Sequence, residues 1–189
     1  MDGRSILVTG ANGQLGREIR RLSAGASERF VFTDVSAPRE LETVYLDITN
    51  REAVRLICRS ERIGVIINCA GYTDVEKAED DKAMAGLLNH QAAAILADTA
   101  RELDITLIHI STDYVFQGDR SQPLREDWPA APLGVYGATK LQGEQAIVRS
   151  GCRYLIFRTA WLYSPYGCIR PMAGISSRPC SIFRGPGRN

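Results

Sequence analysis

The fold of this chain is indicated by Gly10-Ala-Asn-Gly-Gln-Leu-Gly16, which directly follows the apolar run Ser5–Thr9. A short apolar run that ends at glycines is typical of a buried strand, and Gln14–Leu22 has the pattern of a helix. Glycines let the backbone turn sharply and approach a ligand, while the N-terminus of a helix offers free N–H groups. The turn therefore predicts a phosphate cradle, although its G-x-x-G-x-x-G spacing differs from the commonest dinucleotide fingerprint. A tight strand–helix turn that binds nothing is the alternative.

Strand and helix patterns alternate along the rest of the chain. The further predicted strands are Phe30–Asp34, Val44–Ile48, Val65–Cys69, Thr106–Ile110 and Tyr154–Arg158. The further predicted helices are one opened by the capping-box pattern Thr49-Asn-Arg-Glu52, a long one at Lys82–Leu103, and Val135–Arg149. This alternation predicts parallel β-α-β units in an α/β fold, a doubly wound, Rossmann-like parallel sheet. Ligands bind beyond the carboxyl ends of such strands, so the ends of strands one, four and five are the expected site.

The composition narrows the class of protein. The chain has 189 residues, of which 44% are hydrophobic and 24% charged, as in a globular domain. A net charge of +1 gives no bulk attraction to nucleic acid or to an anionic membrane, so neither is expected as a partner. Five cysteines without C-x-x-C spacing argue against a zinc site and for a reducing compartment. With no apolar run long enough to span a bilayer, we expect a cytoplasmic protein.

Tyr136 and Lys140 are four residues apart on a predicted helix, so they share one face. A free tyrosine is a poor acid–base catalyst near pH 7, and a nearby ammonium is expected to lower its pKa. The pair therefore predicts a proton donor for a carbonyl that is reduced by hydride. A chance pair on a helix surface is the alternative.

Two further groups are expected at the same edge of the sheet. Ser111-Thr-Asp-Tyr-Val-Phe116 begins at the end of strand five, and we choose Thr112 over Ser111 as the hydroxyl that steers a substrate oxygen. A capping turn is its alternative. Asp34 ends strand two and can accept hydrogen bonds from ribose hydroxyls, which would favour NADH over NADPH. An aspartate that only caps a turn is the alternative, and Asp47-Ile48 is expected to flank the adenine in a similar way.

Five segments together resemble a known family. They are Gly10–Gly16, Asn68-Cys-Ala-Gly-Tyr-Thr-Asp-Val-Glu-Lys-Ala-Glu79, Ser111–Phe116, Tyr136-Gly-Ala-Thr-Lys-Leu-Gln-Gly-Glu144 and Arg158-Thr-Ala-Trp-Leu-Tyr163. In this order they resemble the extended short-chain dehydrogenase/reductases, and among these the dTDP-4-dehydrorhamnose reductase family. The resemblance covers roughly residues 4 to 164.

The resemblance implies a reaction, a cofactor and a set of residues. The reaction is reduction of the C4 ketone of dTDP-4-dehydro-6-deoxy-L-mannose to dTDP-L-rhamnose, with hydride from NADPH or NADH and a proton from Tyr136. The implied catalytic residues are Thr112, Tyr136 and Lys140. The implied cofactor-binding residues are Gly10, Gly13, Gln14, Leu15, Gly16, Asp34, Asp47, Ile48, Ala70, Gly71 and Tyr72. Trp161 is implied to contact the sugar of the nucleotide-sugar substrate, with a core aromatic as its alternative.

Other implications of the resemblance are a homodimer bridged by Mg²⁺ and glutamates, with Glu18 as a candidate ligand, and a structural role for Asn89. A solvated glutamate and a solvent-facing asparagine are their alternatives. Two other functions stay open on this fold. One is an NAD-dependent nucleotide-sugar epimerase or dehydratase, and the other is a non-catalytic regulatory subunit.

The pattern changes near the end of the chain. Residues 1–164 are predicted to form the NAD(P)-binding domain, whereas residues 165–189 are rich in Arg, Gly, Pro and Ser with no helical or strand period. They predict an irregular tail that need not be ordered. Members of the family continue into a small substrate-binding domain, so we expect that domain to be missing and the chain to bind cofactor weakly, without useful turnover.

Overall fold

The computed structural model describes residues 4–37, 41–118 and 123–166. Six strands form one parallel sheet in the order β3-β2-β1-β4-β5-β6. The strands are β1 Ser5–Thr9, β2 Phe30–Asp34, β3 Val44–Tyr45, β4 Ile63–Asn68, β5 Thr106–Thr112 and β6 Arg153–Thr159. The strand order reverses between β1 and β4, which confirms the predicted doubly wound sheet. The predicted irregular tail lies, from residue 167 onward, outside the described residues.

Helices cover both faces of the sheet. They are α1 Gln14–Leu22, α2 Arg51–Ser60, α3 Lys77–Asp80, α4 Lys82–Gly86, α5 Ala92–Glu102 and α6 Val135–Ser150. A π-helical turn, Leu87–Gln91, joins α4 to α5, and a 3-10 turn, Asp113–Val115, follows β5. No helix in these described ranges is both long enough and apolar enough to cross a membrane.

β4, β5, β6 and α6 differ from their predicted bounds by one or two residues at an end, and three other differences are more informative. The long helix predicted at Lys82–Leu103 is interrupted by the π-helical turn, which a period-3.6 pattern does not reveal. The third strand stops at Tyr45, because Leu46 and Ile48 turn into the core, where each is 4% exposed. The helix cap is Asn50 rather than Thr49.

The capping geometry at α2 shows why. The Asn50 side chain accepts a hydrogen bond from the Ala53 N–H at 3.1 Å, while Thr49 donates its hydroxyl to Asp47 at 2.7 Å. Glu52, the expected partner in a capping box, accepts from Arg55 instead. The pattern therefore predicted the start of the helix to within one residue but assigned the wrong cap.

The core lies on the central strands. Leu7, Ile66 and Leu107 are register neighbours on β1, β4 and β5, and all three are fully buried. Leu96 of α5 and Ile147 of α6 belong to the same cluster. Strands that are covered on both faces read as continuous apolar runs, and the glycine turn could be placed at the end of such a run for this reason.

The same register brings polar side chains together where the strands end. Thr9 of β1 pairs in register with Asn68 of β4, and Asn68 with His109 of β5. All three are at most 1% exposed. The sheet therefore presents a row of buried polar groups directly beneath its carboxyl edge.

Candidate active site

A cavity of about 600 Å³ lies beyond the carboxyl ends of the strands. It brings together fourteen of the sequence-predicted site residues: Gly10, Gly13, Gln14, Leu15, Asp34, Asp47, Ile48, Ala70, Gly71, Tyr72, Thr112, Tyr136, Lys140 and Trp161. Gly16 and Glu18 do not line it. Gly16 lies behind the turn, where a Cβ would be 2.5 Å from the Ala11 Cα, so it allows the helix to pack against the turn.

The glycine turn forms one end of the cavity. Gly10 has a φ of +62°, and a Cβ at this position would lie 2.6 Å from the Ala70 backbone nitrogen. Both the left-handed conformation and the close approach to β4 thus require glycine. Gly13 differs, because its φ of −73° suits any residue and a Cβ would meet only the Gly10 carbonyl at 3.3 Å. Its missing side chain leaves space on the cavity side of the turn.

Asp34 is bonded to this turn. One carboxylate oxygen accepts from the Asn12 N–H at 3.0 Å, and the other accepts from the Ser36 N–H at 3.0 Å. Asp34 thus holds the glycine turn against the end of β2 and also lines the cavity. The oxygen that faces Ser36 also accepts from the Ser36 hydroxyl at 3.1 Å, whereas the oxygen that faces Asn12 keeps a second lone pair, so capping the turn and accepting from a ribose are compatible.

Asp47 and Ile48 form the wall after β3. One oxygen of the Asp47 carboxylate accepts from the Thr49 N–H at 2.8 Å and from the Thr49 hydroxyl at 2.7 Å. This is a local turn of the kind that aspartate commonly stabilises. Ile48 is buried, so it offers the cavity an apolar surface from within the core.

Thr112 is the hydroxyl at the end of β5 that faces the cavity. The neighbouring Ser111 also lines the cavity, but it donates its hydroxyl to the buried Glu144 carboxylate. Thr112 accepts from the Tyr114 N–H at 3.2 Å and donates to the Asp113 carboxylate at 3.2 Å, at the start of the 3-10 turn. The preference for Thr112 over Ser111 stays a prediction.

Tyr136 stands beside Thr112 because α6 approaches the 3-10 turn closely. A Cβ at Gly137 would clash with the Tyr114 carbonyl, so glycine permits this contact. The Tyr114 and Tyr136 rings meet edge to face, with centroids 5.6 Å apart. Burial raises the pKa of Tyr136, and its hydrogen bond with Thr112 only partly opposes this. The expected lowering of the Tyr136 pKa by Lys140 is therefore not found, and the phenol is held as a proton donor.

Lys140 is 5% exposed. Its Nζ donates to the Ile110 carbonyl at 2.6 Å and lies 3.5 Å from Nε2 of His109. Burial lowers the pKa of Lys140 to about 8, against a smaller raising effect of Glu144. Within the described part of the chain no carboxylate forms an ion pair with this amine. The amine is thus a buried, titratable group rather than a fixed ammonium.

Asn89 holds the part of the cavity wall that follows β4. It is 1% exposed, accepts from the Tyr72 N–H at 2.9 Å, and donates to the Tyr72 carbonyl at 3.1 Å. It also donates to Thr139 of α6 at 3.2 Å, so the π-helical turn clamps the segment after β4 onto α6. These contacts agree with a structural role for Asn89 and not with a solvent-facing side chain. The Tyr72 hydroxyl, in the cavity wall, is buried without a hydrogen-bond partner in the described residues.

Comparisons with known proteins show the family of this chain. Residues 4–169 match the family described as the RmlD substrate binding domain. The chain belongs to this family. It is 45% identical over 162 residues to a probable dTDP-4,6-dihydroxy-2-methyloxan-3-one 4-ketoreductase of Streptomyces antibioticus, with 85% of this chain and 52% of that protein covered. It is 40% identical to the dTDP-4-dehydrorhamnose reductase of Escherichia coli, with 86% and 53% covered.

Solved structures of the same family resemble this RmlD-family chain. A dTDP-4-dehydrorhamnose reductase of Bacillus anthracis in complex with NADP superimposes with a TM-score of 0.77 at 36% identity, covering 87% of this chain and 56% of that chain. The corresponding protein of Clostridium acetobutylicum gives a TM-score of 0.76 at 39% identity, with 85% and 55% covered. The chain spans about half the length of the curated relatives it matches.

Two glutamates near the cavity lie in the motifs that carried the resemblance but had no predicted role. Glu144 of α6 is 4% exposed and accepts from Arg158 of β6 at 2.7 Å, in addition to Ser111. Glu79 accepts from the Val135 N–H at 2.7 Å and so caps the helix that carries Tyr136. Both glutamates were in motifs that carried the resemblance, but nothing in their spacing indicated these partners.

Trp161 and Glu18 complete the comparison with the predicted site. Trp161 is 61% exposed at the cavity and has a φ of +52°, so the core-aromatic alternative does not describe it. A left-handed, non-glycine residue stores strain on the order of 1–2 kcal/mol, which often marks a functional position. Glu18 pairs with Arg21 at 2.9 Å on the outer face of α1. No group of three or more acidic, histidine or cysteine residues suited to a metal ion occurs in the described ranges.

Proposed function

We propose that this chain carries the nicotinamide-binding and catalytic half of a nucleotide-sugar ketoreductase. The reaction is reduction of the C4 ketone of dTDP-4-dehydro-6-deoxy-L-mannose to dTDP-L-rhamnose. The observation that carries the proposal is that Thr112, Tyr136 and Lys140 converge on one cavity with the glycine turn. Relatives of this chain are named as reductases of dTDP-linked keto sugars, which supports a ketone of a dTDP-linked sugar as the substrate.

The cavity fits a nicotinamide dinucleotide. The turn at Gly13 leaves room for a pyrophosphate at the N-terminus of α1, where free N–H groups favour an anion. The Asp34 oxygen that faces Asn12 offers a lone pair to a ribose, and Ile48 offers an apolar surface to a base. The unpartnered Tyr72 hydroxyl would find a ligand acceptor in the same cavity. The Bacillus anthracis relative is a complex with NADP, so NADPH is the first cofactor to test and NADH the second.

Each catalytic side chain has a separate task in this proposal. When bound, the reduced nicotinamide supplies the hydride. Thr112, whose hydroxyl donates to Asp113 in this structure, would turn that proton to the ketone oxygen and orient the carbonyl towards the phenol. Tyr136 holds the proton that the developing alkoxide receives, and its raised pKa keeps that proton in place until the oxygen becomes basic. Lys140 lies in the cavity wall, where its amine would contact a ribose hydroxyl of the bound cofactor.

The sugar side of the proposal rests on Trp161. Its exposed ring at the cavity mouth offers a flat apolar surface of the kind that binds sugar faces.

A homodimer remains part of the proposal. The described residues offer Mg²⁺ no cluster of ligands, and Glu18 is engaged by Arg21, so a metal-bridged form has no support from these contacts.

Cofactor binding is the first test, and Gly13 is the position to change. Gly13→Asp should abolish the rise in melting temperature that NADPH gives, because the carboxylate would occupy the phosphate position without straining the backbone. Gly13→Ala tests added bulk without charge. Ala24→Asp adds the same charge just beyond the opposite end of α1 and should keep the full shift. An unchanged shift in Gly13→Asp would contradict the assignment of the turn.

Turnover is the second test. A full-length form, which also carries the substrate-binding domain expected to be missing here, is incubated with the dTDP-4-keto-6-deoxy-L-sugar and NADPH, and one NADPH should be oxidised for each sugar reduced. Tyr136→Phe should lower the rate by roughly 10²–10⁴ while cofactor binding stays nearly intact, because the phenolic proton is needed only for the chemistry. An epimerase would convert sugar without net NADPH oxidation. A Tyr136→Phe variant that keeps the wild-type rate would remove Tyr136 from its role.

A further inference from the structure

A chain of four buried polar side chains runs beneath the cavity from β1 to α6. The Thr9 hydroxyl donates to Oδ1 of Asn68 at 2.6 Å. Nδ2 of Asn68 lies 3.0 Å from Nδ1 of His109, and Nε2 of His109 lies 3.5 Å from Nζ of Lys140. Thr9, Asn68 and His109 are at most 1% exposed, so solvent does not compete for these contacts.

The positions of the protons on these four side chains follow from the contact of one backbone N–H group. The Ala70 N–H can only donate, and it donates to Asn68 at 3.2 Å, so the atom that faces it is the carbonyl oxygen Oδ1. The amide of Asn68 therefore turns its NH₂ group towards His109. Nδ1 of His109 must accept that hydrogen bond, which leaves it unprotonated. The ring is then neutral, with its single proton on Nε2.

This tautomer places an N–H group opposite the amine of Lys140. An ammonium has only donors, so its contact with the imidazole N–H would bring two donors together. The uncharged amine has a lone pair that accepts this N–H while still donating to the Ile110 carbonyl. Burial of His109 and its proximity to Lys140 both lower the pKa of His109, so the imidazole does not take up a second proton.

Two other titratable groups near Lys140 favour its charged form. Glu144, one turn along α6, raises the pKa of Lys140, but its carboxylate is bonded to Arg158 and Ser111. Cys69, at the end of β4, is a neutral thiol at physiological pH, because burial raises its pKa to about 12. Of these titratable side chains, His109 on β5 is thus the one whose ring nitrogen lies next to the amine, at 3.5 Å.

We infer that Asn68 and His109 form a positioning pair for Lys140: the amide fixes the imidazole as its Nε2–H tautomer, and that N–H stabilises the uncharged form of the Lys140 amine. A bound ligand that offers hydroxyl acceptors to Nζ would favour the ammonium instead. Near pH 8, where the amine is partly deprotonated, binding would then be coupled to proton uptake at Lys140. Only this last consequence rests on the proposed function, since the tautomer follows from contacts within the chain.

Nuclear magnetic resonance of the whole chain can test the pair directly, because the sequence contains only two histidines and three lysines. Two-bond ¹H–¹⁵N correlations report which imidazole nitrogen carries the proton, and His90 provides an internal reference. His109 should appear as the neutral Nε2–H tautomer from pH 5 to pH 9. The ¹³Cε signals of Lys77, Lys82 and Lys140 report the three amines, and Lys140→Met identifies its signal.

Two variants connect the tautomer to the lysine. Asn68→Asp offers Nδ1 an acceptor in place of a donor, so the proton should appear on Nδ1. His109→Leu removes the N–H and should raise the titration midpoint of Lys140 by about one pH unit, as the loss of one net hydrogen bond predicts. Thr99→Val is a matched control, because it changes another buried side chain that contacts neither residue, and it should leave the midpoint unchanged.

The outcomes separate the inference from the proposed function. An Nδ1–H tautomer in the wild-type chain, which requires no variant to fold, would overturn the inference. So would a Lys140 midpoint that His109→Leu does not move. Saturating NADPH should raise the Lys140 midpoint in the wild-type chain. If NADPH fails to bind while the Nε2–H tautomer is observed, the proposed function is wrong and the positioning pair stands.

Discussion

Lys140 and Glu144 are one turn apart on α6, and both are about 5% exposed, yet the protein treats their charges in opposite ways. Glu144 receives hydrogen bonds from the Arg158 guanidinium on both oxygens and from the Ser111 hydroxyl. Lys140 has a backbone carbonyl and a neutral imidazole as its neighbours. A buried charge is costly unless it is paired, so the first arrangement stabilises an ion pair and the second favours loss of the proton. The same helix thus carries Glu144, whose charge pairs α6 with β6, and Lys140, a titratable amine that lines the cavity.

Breaking the buried ion pair should have the largest effect on stability. Glu144→Gln removes the negative charge from the buried pair of Glu144 with Arg158, and we expect a loss of about 3–5 kcal/mol in the free energy of unfolding. Urea denaturation followed by circular dichroism measures this loss. The double variant Glu144→Leu, Arg158→Met removes both charges and should recover a substantial part of it. A Glu144→Gln variant as stable as the wild type would show that the pair is not the element that holds β6 to α6.

Removing the buried amine should have a smaller effect and the opposite sign. Lys140→Met is expected to stabilise the chain by about 1–3 kcal/mol at pH 7, because the folded state disfavours the charge that the unfolded state keeps. Below pH 8 the amine is protonated in both states, so the folded chain carries the full cost. Between about pH 8 and 10.5 the folded chain loses this proton first, and the wild type gains stability relative to the variant.

Paired denaturation curves from pH 7 to pH 10 check this dependence. Cys58 and Cys69, whose pKa values burial raises to about 12, occur in both proteins and cancel in the difference. A stability difference that stays constant over this range would show that Lys140 does not titrate there.

The smallest effect is expected for a similar pairing on the surface. Glu102 of α5 accepts from Arg55 at 2.7 Å and from Arg59 at 2.8 Å, so its contacts are as short as those of Glu144. These side chains are much more exposed, and solvent and salt screen the interaction. Glu102→Gln should therefore change the urea midpoint far less than Glu144→Gln does, and the change should shrink further in 1 M salt. Equal losses from the two variants would mean that burial does not set the difference.

The sequence predicted the parts of the site that local patterns determine. The glycine turn lies between a buried strand and a helix, and this position placed the cavity at the correct edge of the sheet. Tyr136 and Lys140 share a helix face because of their spacing alone. Thr112 lies at the end of β5, although the strand extends two residues beyond the predicted Ile110.

The parts that sequence reasoning missed depend on contacts between distant segments. Glu144 and Arg158 meet only because β6 pairs beside β5 under α6, and Asn89 reaches Tyr72 only because of the π-helical turn. The protonation states were missed for the same reason. A lysine near a tyrosine suggested a lowered phenol pKa, but burial outweighs that attraction and raises it. Burial and partner geometry are properties of the folded chain, so no spacing rule could supply them.

The exposed position of Trp161 has a practical consequence for optical measurements. The chain contains only two tryptophans, Trp128 and Trp161, and the second lines the cavity in which we propose that the reduced cofactor binds. Tryptophan emission overlaps the absorption of a reduced nicotinamide, so a ring at the cavity mouth would act as a donor for energy transfer. Trp128→Phe would leave Trp161 as the sole emitter. Its quenching, together with sensitised cofactor fluorescence, would then follow occupancy of the cavity in real time without an added label.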